Sequence, residues 1–344
     1  MPHKAIWVDS CDQLSIREIE ENYVPQEAET LIQVSFSGIN PADLKHGIYM
    51  GINENVAGYD FSGTVVEAGP GSRFIAGDRV AGLTPAMNPR PAKNGAHQQY
   101  LIAPDLMTFP VPDHVSMELA ATLGVAMRTA IDALFCVLGL PEPDSNLENP
   151  GALLIWGGAS GVGTAAIQLA AAAGIRPILV TASPQNHEIL QKLGATHCFN
   201  YRDDDVVEQI KLWVSKSGKS LDYAFDTIGH VGYAHMADLC FSSSSEDARV
   251  VSTIPHSKSL NCFATTANEL SFEGFTGTVT FAARLADAER TSQILERAVN
   301  KLKSLTMPTL KTVYGYEAGI EAIAESAEGT ASFEKVVVAH ENVV

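Results

Sequence analysis

An apolar run, 152–156, leads without a break into Gly157-Gly158-Ala159-Ser160-Gly161-Val162-Gly163 and then into the helical segment TAAIQLAAAAG. The glycines at 158, 161 and 163 approximate, without matching, the GxGxxG spacing of dinucleotide sites. Glycine permits a tight strand-to-helix turn and lets backbone amides approach a pyrophosphate, which then sits at the positive end of the helix. The chemistry implied is cofactor binding by Gly158, Ala159, Ser160, Gly161, Val162 and Gly163. About 20 residues further on, a site for NAD would place Asp or Glu against the ribose 2′-hydroxyl. Here that stretch reads Val180-Thr181-Ala182-Ser183-Pro184-Gln185-Asn186, with no acid. Ser183 followed by Pro184 is a helix N-cap pattern, so amides and a hydroxyl face the place of a 2′-phosphate, and NADPH is favoured over NADH. No arginine lies in this turn; Arg202, after Tyr201, is the compensating candidate.

Other chemistries find less support. Catalytic zinc needs three protein ligands drawn from Cys, His and acids, and none of the ten histidines has a Cys or His at ligand spacing. His197 and Cys198 are adjacent and point to opposite sides of a strand, and His230 and His235 are five apart, off the i, i+4 face. No metal is expected. There is no GxSxG nucleophile motif either. With 23 Lys and Arg against 40 Asp and Glu, the net charge is −17. So acidic a chain, with no basic stripe, is an unsuitable partner for nucleic acid. Five cysteines at 11, 136, 198, 240 and 262 leave no CxxC pair and argue against a disulfide framework, so a cytoplasmic setting is expected. The most apolar helical stretch, 162–175, is short and holds Gly163, Thr164, Gln168 and Gly174, whereas a membrane span needs about 20 apolar residues. The first residues lack the apolar core of a signal peptide.

The 344 residues are enough for about two domains. The first ~115 read as short strands broken by turns such as Gly69-Pro70-Gly71 and Gly77-Asp78, an all-β pattern. Residues 117–138 form a helix pattern. Strands at 152–156, 177–181, 197–200, 221–226 and 249–253 then alternate with helices at 164–173, 186–193, 205–216 and 231–241, the last strand closing the series. Continuous apolar strands with helical crossovers predict a doubly wound parallel sheet. Helices at 286–302 and 317–327 and strands at 311–314 and 333–339 complete the chain. The fold class is α/β, with one domain interrupting another.

This order of elements, with GGASGVG after a β-rich start, resembles the medium-chain dehydrogenase/reductase superfamily over nearly the whole chain. The resemblance implies a GroES-like catalytic domain from residues 1–118 and 284–344 around a Rossmann domain at 119–283. The segment Asn40-Pro41-Ala42-Asp43-Leu44-Lys45 resembles the NPxDxK signature of the zinc-free quinone-reductase and enoyl-reductase branch. Zinc-dependent relatives carry Cys where Asn40-Pro41 falls and His-Glu where Tyr59-Asp60 falls. The stretch TASPQNHEILQKLGATHCFNYRDDDVVEQI (181–210) resembles the trans-acting enoyl reductases of fungal polyketide biosynthesis, of the lovastatin enoyl reductase type. The glycine turn departs from the lovastatin protein's unusual form and keeps the ordinary one.

That resemblance implies NADPH-dependent reduction of an α,β-unsaturated polyketide thioester on a partner polyketide synthase or its acyl carrier domain. It places Lys45 near the nicotinamide and its ribose, and Ser183, Gln185, Asn186 and Tyr201 at the 2′-phosphoadenosine end. Thr253, Ile254, Ser332 and Phe333 carry over as further cofactor residues. For the acyl group it points to Thr122, Leu123, Gly124 and Val125 and to Phe275, Thr276 and Gly277, within 272–280. Hydride addition to an enoyl thioester leaves an enolate, whose oxygen needs a donor and whose α-carbon needs a proton. Lys45 is the charged candidate; Tyr49, Tyr59, Asp60 and solvent water are alternatives. A monomer is expected rather than a homodimer. Two other functions stay open: a stand-alone zinc-free quinone or enone oxidoreductase, and a non-catalytic NADPH-binding protein.

Overall fold

The computed structural model describes residues 2–145, 151–229, 236–241, 248–254, 259–264, 266–274, 277–301, 305–329 and 333–340. They form two compact units. The first comprises Met1–Val125, Thr265–Lys303 and Thr309–Val344, and the second Ala126–Ala264 with Ser304–Pro308. The hairpin of Leu270–Gly274 and Gly277–Phe281 counts with the first unit. Residues 304–308 count with the second, where the Gln168 side chain pairs with the Thr306 backbone. Its Nε2 donates to the Thr306 carbonyl at 2.6 Å, and its Oε1 accepts from the Thr306 amide at 2.9 Å.

The second unit is built on six parallel strands in the order His197–Asn200, Ile178–Ala182, Ala152–Trp156, Leu221–Asp226, Arg249–Ser252, Leu260–Asn261. The apolar runs read from the sequence are these strands, and Ile178–Ala182 is buried along its whole length. The strand at 249–252 does not close the sheet; Leu260–Asn261 pairs beyond it. Helices Gly161–Ala172, His187–Lys192 and Val206–Ser217 connect or follow the strands. The long helix expected over 117–138 is broken into Met117–Ala120, Leu123–Ile131 and a π-turn Asp132–Val137. Of the helix expected at 231–241, Met236–Leu239 is described; His230 and His235 lie outside the described residues.

The first unit is β-rich. A seven-stranded sheet runs Thr309–Tyr314, Glu334–Ala339, Glu29–Gly38, Asp60–Ala68, Arg79–Leu83, Thr108–Pro110, with Tyr100–Pro104 also paired to Glu29–Gly38. Residues of Glu29–Gly38 alternate buried and half-buried until the strand's last three, which are all buried. Its Ile32 and Val34 meet Phe61, Val65, Val80 and Leu101 in one core cluster, each such side chain contributing about 1.5–3 kcal/mol by burial. The C-terminal strand Glu334–Ala339 inserts beside Glu29–Gly38, so both chain ends build one sheet. The helix Ala42–Met50 follows directly from the end of Glu29–Gly38 and stops at Gly51, whose φ of 66° suits glycine.

Candidate active site and cofactor turn

The four glycines of the turn do different work. Gly157 has a φ of 86°, and a Cβ there would overlap Ile228; one on Gly158 would overlap Val180, and one on Gly163 the Gly157 carbonyl. These three glycines let strand, turn and helix approach each other. At Gly161 the nearest atoms to an added Cβ are 3.9 Å away, so nothing in the protein demands glycine there. Ser160 caps the helix Gly161–Ala172: its Oγ accepts from the Gly163 amide at 2.9 Å. The amides of Gly161 and Val162 have no acceptor within the helix, as at any helix start, and an anion such as a pyrophosphate fits them.

Two hydroxyls that sequence reasoning missed lock this turn. Thr181 Oγ1 accepts from the Gly157 amide at 3.0 Å, and its carbonyl from the Gly158 amide at 2.9 Å. Thr227 Oγ1 donates toward the carbonyls of Trp156 and Gly157, both at 2.9 Å. That leaves the Ser160 hydroxyl to donate to Thr227 Oγ1 across 2.9 Å. Asp226 Oδ1 accepts from the amides of Ile228 and Gly229, both at 3.0 Å. The available signal was a hydroxyl or carboxylate ending a parallel strand, where ligands of such sheets bind.

Ala182 and Asn200 are partners in parallel register, so Ser183 and Tyr201 leave the sheet side by side. Ser183 stands in the cap position of the turn Pro184–Asn186 with proline at its start, yet its hydroxyl makes no capping bond. Only the backbone half of the expected cap is present. Asn186 is buried and Gln185 exposed, and His187 Nε2 lies 3.0 Å from the Ala182 carbonyl. Tyr201 is exposed beneath the Arg202 guanidinium, 4.9 Å from the ring centre. Thr253 and Ile254 are half-buried, their amides bonded to the Asp226 carbonyl and Ser252 Oγ. Phe333, in the first unit, is half-buried with a φ of 53°. Ser332 lies outside the described residues.

In the first unit, Lys45 is half-buried on the helix Ala42–Met50, and its ammonium makes no hydrogen bond or ion pair among the described residues. The motif residues before it are tied down. Asp43 Oδ2 accepts from the Asn40 amide at 2.8 Å and meets His97 Nε2 at 3.1 Å, both side chains fully buried. His97 Nδ1 is 2.7 Å from Ser37 Oγ, which is 2.8 Å from His340 Nε2. These are the residue types of a nucleophilic triad, but Ser37 is sealed at 0% exposure and its second partner is a histidine, so the chain is a structural relay. Burial holds His340 down to about 3, with His97 adding to the shift.

Asn40 and Asp60 join a buried ammonium that the sequence did not reveal. Lys335 Nζ donates to Asn40 Oδ1 at 2.6 Å, the Ile39 carbonyl at 2.8 Å and Asp60 Oδ2 at 3.4 Å. Asp60 also accepts from Asn40 Nδ2 at 2.9 Å and the Val125 amide at 2.6 Å. Burial pushes the Asp60 carboxyl up, and Lys335, Asn40 and Val125 pull it back. Beside this cluster, Tyr59 OH lies 2.9 Å from His46 Nδ1, with the Arg90 guanidinium 4.1 Å above the phenol ring. Among the described residues no group of three or more His, Cys, Asp or Glu could hold a metal ion, and no helix is long and apolar enough to cross a membrane.

The acyl candidates divide. Thr122 and Leu123 are fully buried, and Thr122 Oγ1 donates to the Leu119 carbonyl at 2.7 Å. Gly124 is required by packing, because a Cβ would press on the Gly82 carbonyl and Asp60 Oδ1. Val125 is half-buried. Gly277 is exposed at the hairpin turn with a φ of 121°; Phe275 and Thr276 lie outside the described residues.

Two family models match. Residues 26–113 match the alcohol dehydrogenase GroES-like domain, and 161–293 the family described as zinc-binding dehydrogenase. The chain belongs to the medium-chain dehydrogenase/reductase superfamily, with a GroES-like domain and a Rossmann-like parallel sheet. Within it the chain is similar to fungal trans-enoyl reductases. It is 36% identical over 222 residues to the trans-enoyl reductase thnE of Trichoderma harzianum, covering 62% of this chain and 58% of that protein. To traG of Penicillium crustosum it is 33% identical over 247 residues, 70% of this chain and 66% of that one. The matches thus span less than two thirds of those relatives. Among solved structures, the CurK enoyl reductase superposes with a TM-score of 0.71 at 20% identity, covering 98% of this chain and 99% of that one. An alcohol dehydrogenase superfamily protein from Novosphingobium aromaticivorans gives 0.75 at 22%, covering 99% and 100%. At such identities these two likenesses concern the fold.

Proposed function

We propose that the protein is an NADPH-dependent enoyl reductase acting in trans on an α,β-unsaturated thioester carried by a polyketide synthase. The first unit serves as catalytic domain and the second as cofactor domain. The observation that carries the reading is 32–36% identity to trans-enoyl reductases in a chain whose glycine turn keeps an open position at Gly161. When bound, NADPH supplies the hydride for the β-carbon. The amides of Gly161 and Val162 hold the pyrophosphate. The uncommitted Ser183 hydroxyl, Gln185, Asn186 and Tyr201 take the phosphoadenosine end, with no acid at the end of the second strand to repel a 2′-phosphate. Thr253, Ile254, Ser332 and Phe333 are further cofactor residues by the same resemblance. Lys45, whose ammonium has no partner in the described residues, anchors the nicotinamide ribose. Val125 and Gly277 are the acyl candidates left with exposed surface.

The direct test is NADPH oxidation by the purified chain with an enoyl-pantetheine thioester, beside a simple quinone. Reduction of the thioester with NADPH preferred over NADH is expected. Turnover of the quinone alone would make the protein a free-standing quinone reductase, and turnover of neither would leave a nucleotide-binding protein. Ser183→Asp should reverse much of the nucleotide preference, since a carboxylate repels the 2′-phosphate but accepts from a 2′-hydroxyl. Lys45→Ala removes one charged hydrogen bond, about 1.5–3 kcal/mol, so turnover should fall roughly 10- to 150-fold. Unchanged kinetics and NADPH affinity would remove Lys45 from the site.

A further inference from the structure

We propose that Asp43 and His97 are positioning residues for Lys45: the buried chain Asp43–His97–Ser37–His340 fixes the start of the helix Ala42–Met50, and with it the place of the Lys45 ammonium. The inference rests on the reading of Lys45 as the anchor of the nicotinamide ribose. That helix has little else to hold it. Pro41, at its head, supplies no side-chain cap, and of its nine residues only Asp43 and Gly47 are buried. Glycine adds no side chain, so Asp43 is the one buried side chain of the helix. Asp43 and Asn40 exchange two bonds in the manner of a capping box. The Asp43 amide donates to the Asn40 carbonyl at 3.0 Å, and the Asn40 amide to Asp43 Oδ2 at 2.8 Å. Lys45 follows two residues on, its own amide donating to the Pro41 carbonyl at 3.0 Å.

The carboxylate that closes this start depends on His97. Asp43 Oδ1 is buried with no hydrogen-bond partner, so Oδ2 carries both bonds, to the Asn40 amide and to His97 Nε2. Without the imidazole a desolvated carboxylate keeps a single bond, a costly state. It is relieved by turning away, and the Asn40 bond is lost with the turn. His97 itself is locked. Its amide donates to the Ala57 carbonyl and its carbonyl accepts from the Ile6 amide, both at 2.9 Å. Its ring lies against Gly58, where an added Cβ would stand 2.7 Å from Cδ2. On the far side Ser37 Oγ joins His97 Nδ1 to His340 Nε2, and the His340 amide donates to the Ser35 carbonyl at 3.0 Å. The chain thus runs from the strand Glu29–Gly38 to the helix start. Its role is geometric, and no member of it has to reach a ligand.

A double-mutant cycle on the full chain tests this, with NADPH affinity read by fluorescence titration and folding by thermal unfolding. Lys45→Ala should weaken NADPH binding by about tenfold or more, the worth of one charged hydrogen bond. His97→Leu removes the donor to Asp43. It should weaken binding about tenfold in the unmodified background and less than about twofold beside Lys45→Ala, because the ammonium it positions is gone. His97→Gln, whose amide can donate to Asp43 Oδ2, should recover most of the loss. Ser37→Ala breaks the middle link with a smaller change and should show a smaller loss with the same dependence on Lys45; it carries the test if His97→Leu does not fold. An equal loss in both backgrounds is what a merely structural role gives, and it overturns the proposal. Undiminished affinity in the folded variants does so too. If Lys45→Ala binds NADPH like the original protein, the anchor is removed and this inference falls with it. Absence of thioester reduction beside the expected cycle overturns the enoyl-reductase reading alone and supports the positioning role.

Discussion

Two helix starts carry the proposed chemistry, and they are held in opposite ways. The helix Gly161–Ala172 begins in a turn whose cap, Ser160 to Gly163, is local, and the space around it is made by glycines within a few residues. The helix Ala42–Met50 begins in a segment tethered by side chains from far along the chain: Asp60 lies 20 residues from Asn40, His97 lies 54 from Asp43, and Lys335 lies 295 from Asn40. The first start is open and made of backbone. The second is closed and made of buried charge. A backbone cradle tolerates changes that leave its turn geometry alone. A buried polar cluster fails as a unit, because each member removed leaves another desolvated and unpaired.

The strongest way to break this contrast is to remove the ammonium. Lys335→Met should destabilise the protein by about 3–5 kcal/mol, since it strands the Asp60 carboxylate in the interior. Urea unfolding reads this directly. Adding Asp60→Asn should cost less than the sum of the two single changes, because the second removes the stranded charge. A loss below about 1 kcal/mol for Lys335→Met would mean the cluster behaves like a surface pair, and the two helix starts would not differ as described.

The same contrast explains what could be read from the sequence. The parallel sheet was legible because a buried strand such as 152–156 is an unbroken apolar run, and the turn was legible because glycine is demanded by local geometry. Thr181 and Thr227 were not, since a hydroxyl ending a strand looks the same whether it faces solvent or locks a turn. In the first unit Asp43 and Lys45 stood out by their motif. Lys335 was hidden in a strand that otherwise reads apolar, and His97 and His340 only acquire partners once the C-terminal strand returns beside Glu29–Gly38. The His46–Tyr59 pair lacked any signal: two residues 13 apart, joined by a helix, a loop and a strand start. That a hairpin at 270–281 counts with the first unit and 304–308 with the second follows from tertiary pairings that composition does not encode.

The smallest expected effect sharpens the comparison within the glycine turn itself. Gly158→Ala puts a methyl group into the Val180 side chain, a clash that nearby Ile167 and Leu190 leave little room to relieve. Overpacking of this kind costs about 1–3 kcal/mol, and cofactor affinity should fall only as far as the turn distorts. Gly161→Ala meets nothing closer than 3.9 Å and replaces the poorer helix former, so stability should stay level or rise by less than about 1 kcal/mol. Its cost should appear only when nucleotide is present, because the new methyl stands where the proposed pyrophosphate approaches the helix start. NADPH affinity measured by fluorescence titration should drop by about tenfold, near the worth of one hydrogen bond to a charged group. Thermal unfolding with and without NADPH separates the cases: the nucleotide-induced shift should shrink in Gly161→Ala while the unliganded midpoint holds. A Gly161→Ala protein that binds NADPH like the original would place the pyrophosphate elsewhere, and the open helix start would be an accident of packing.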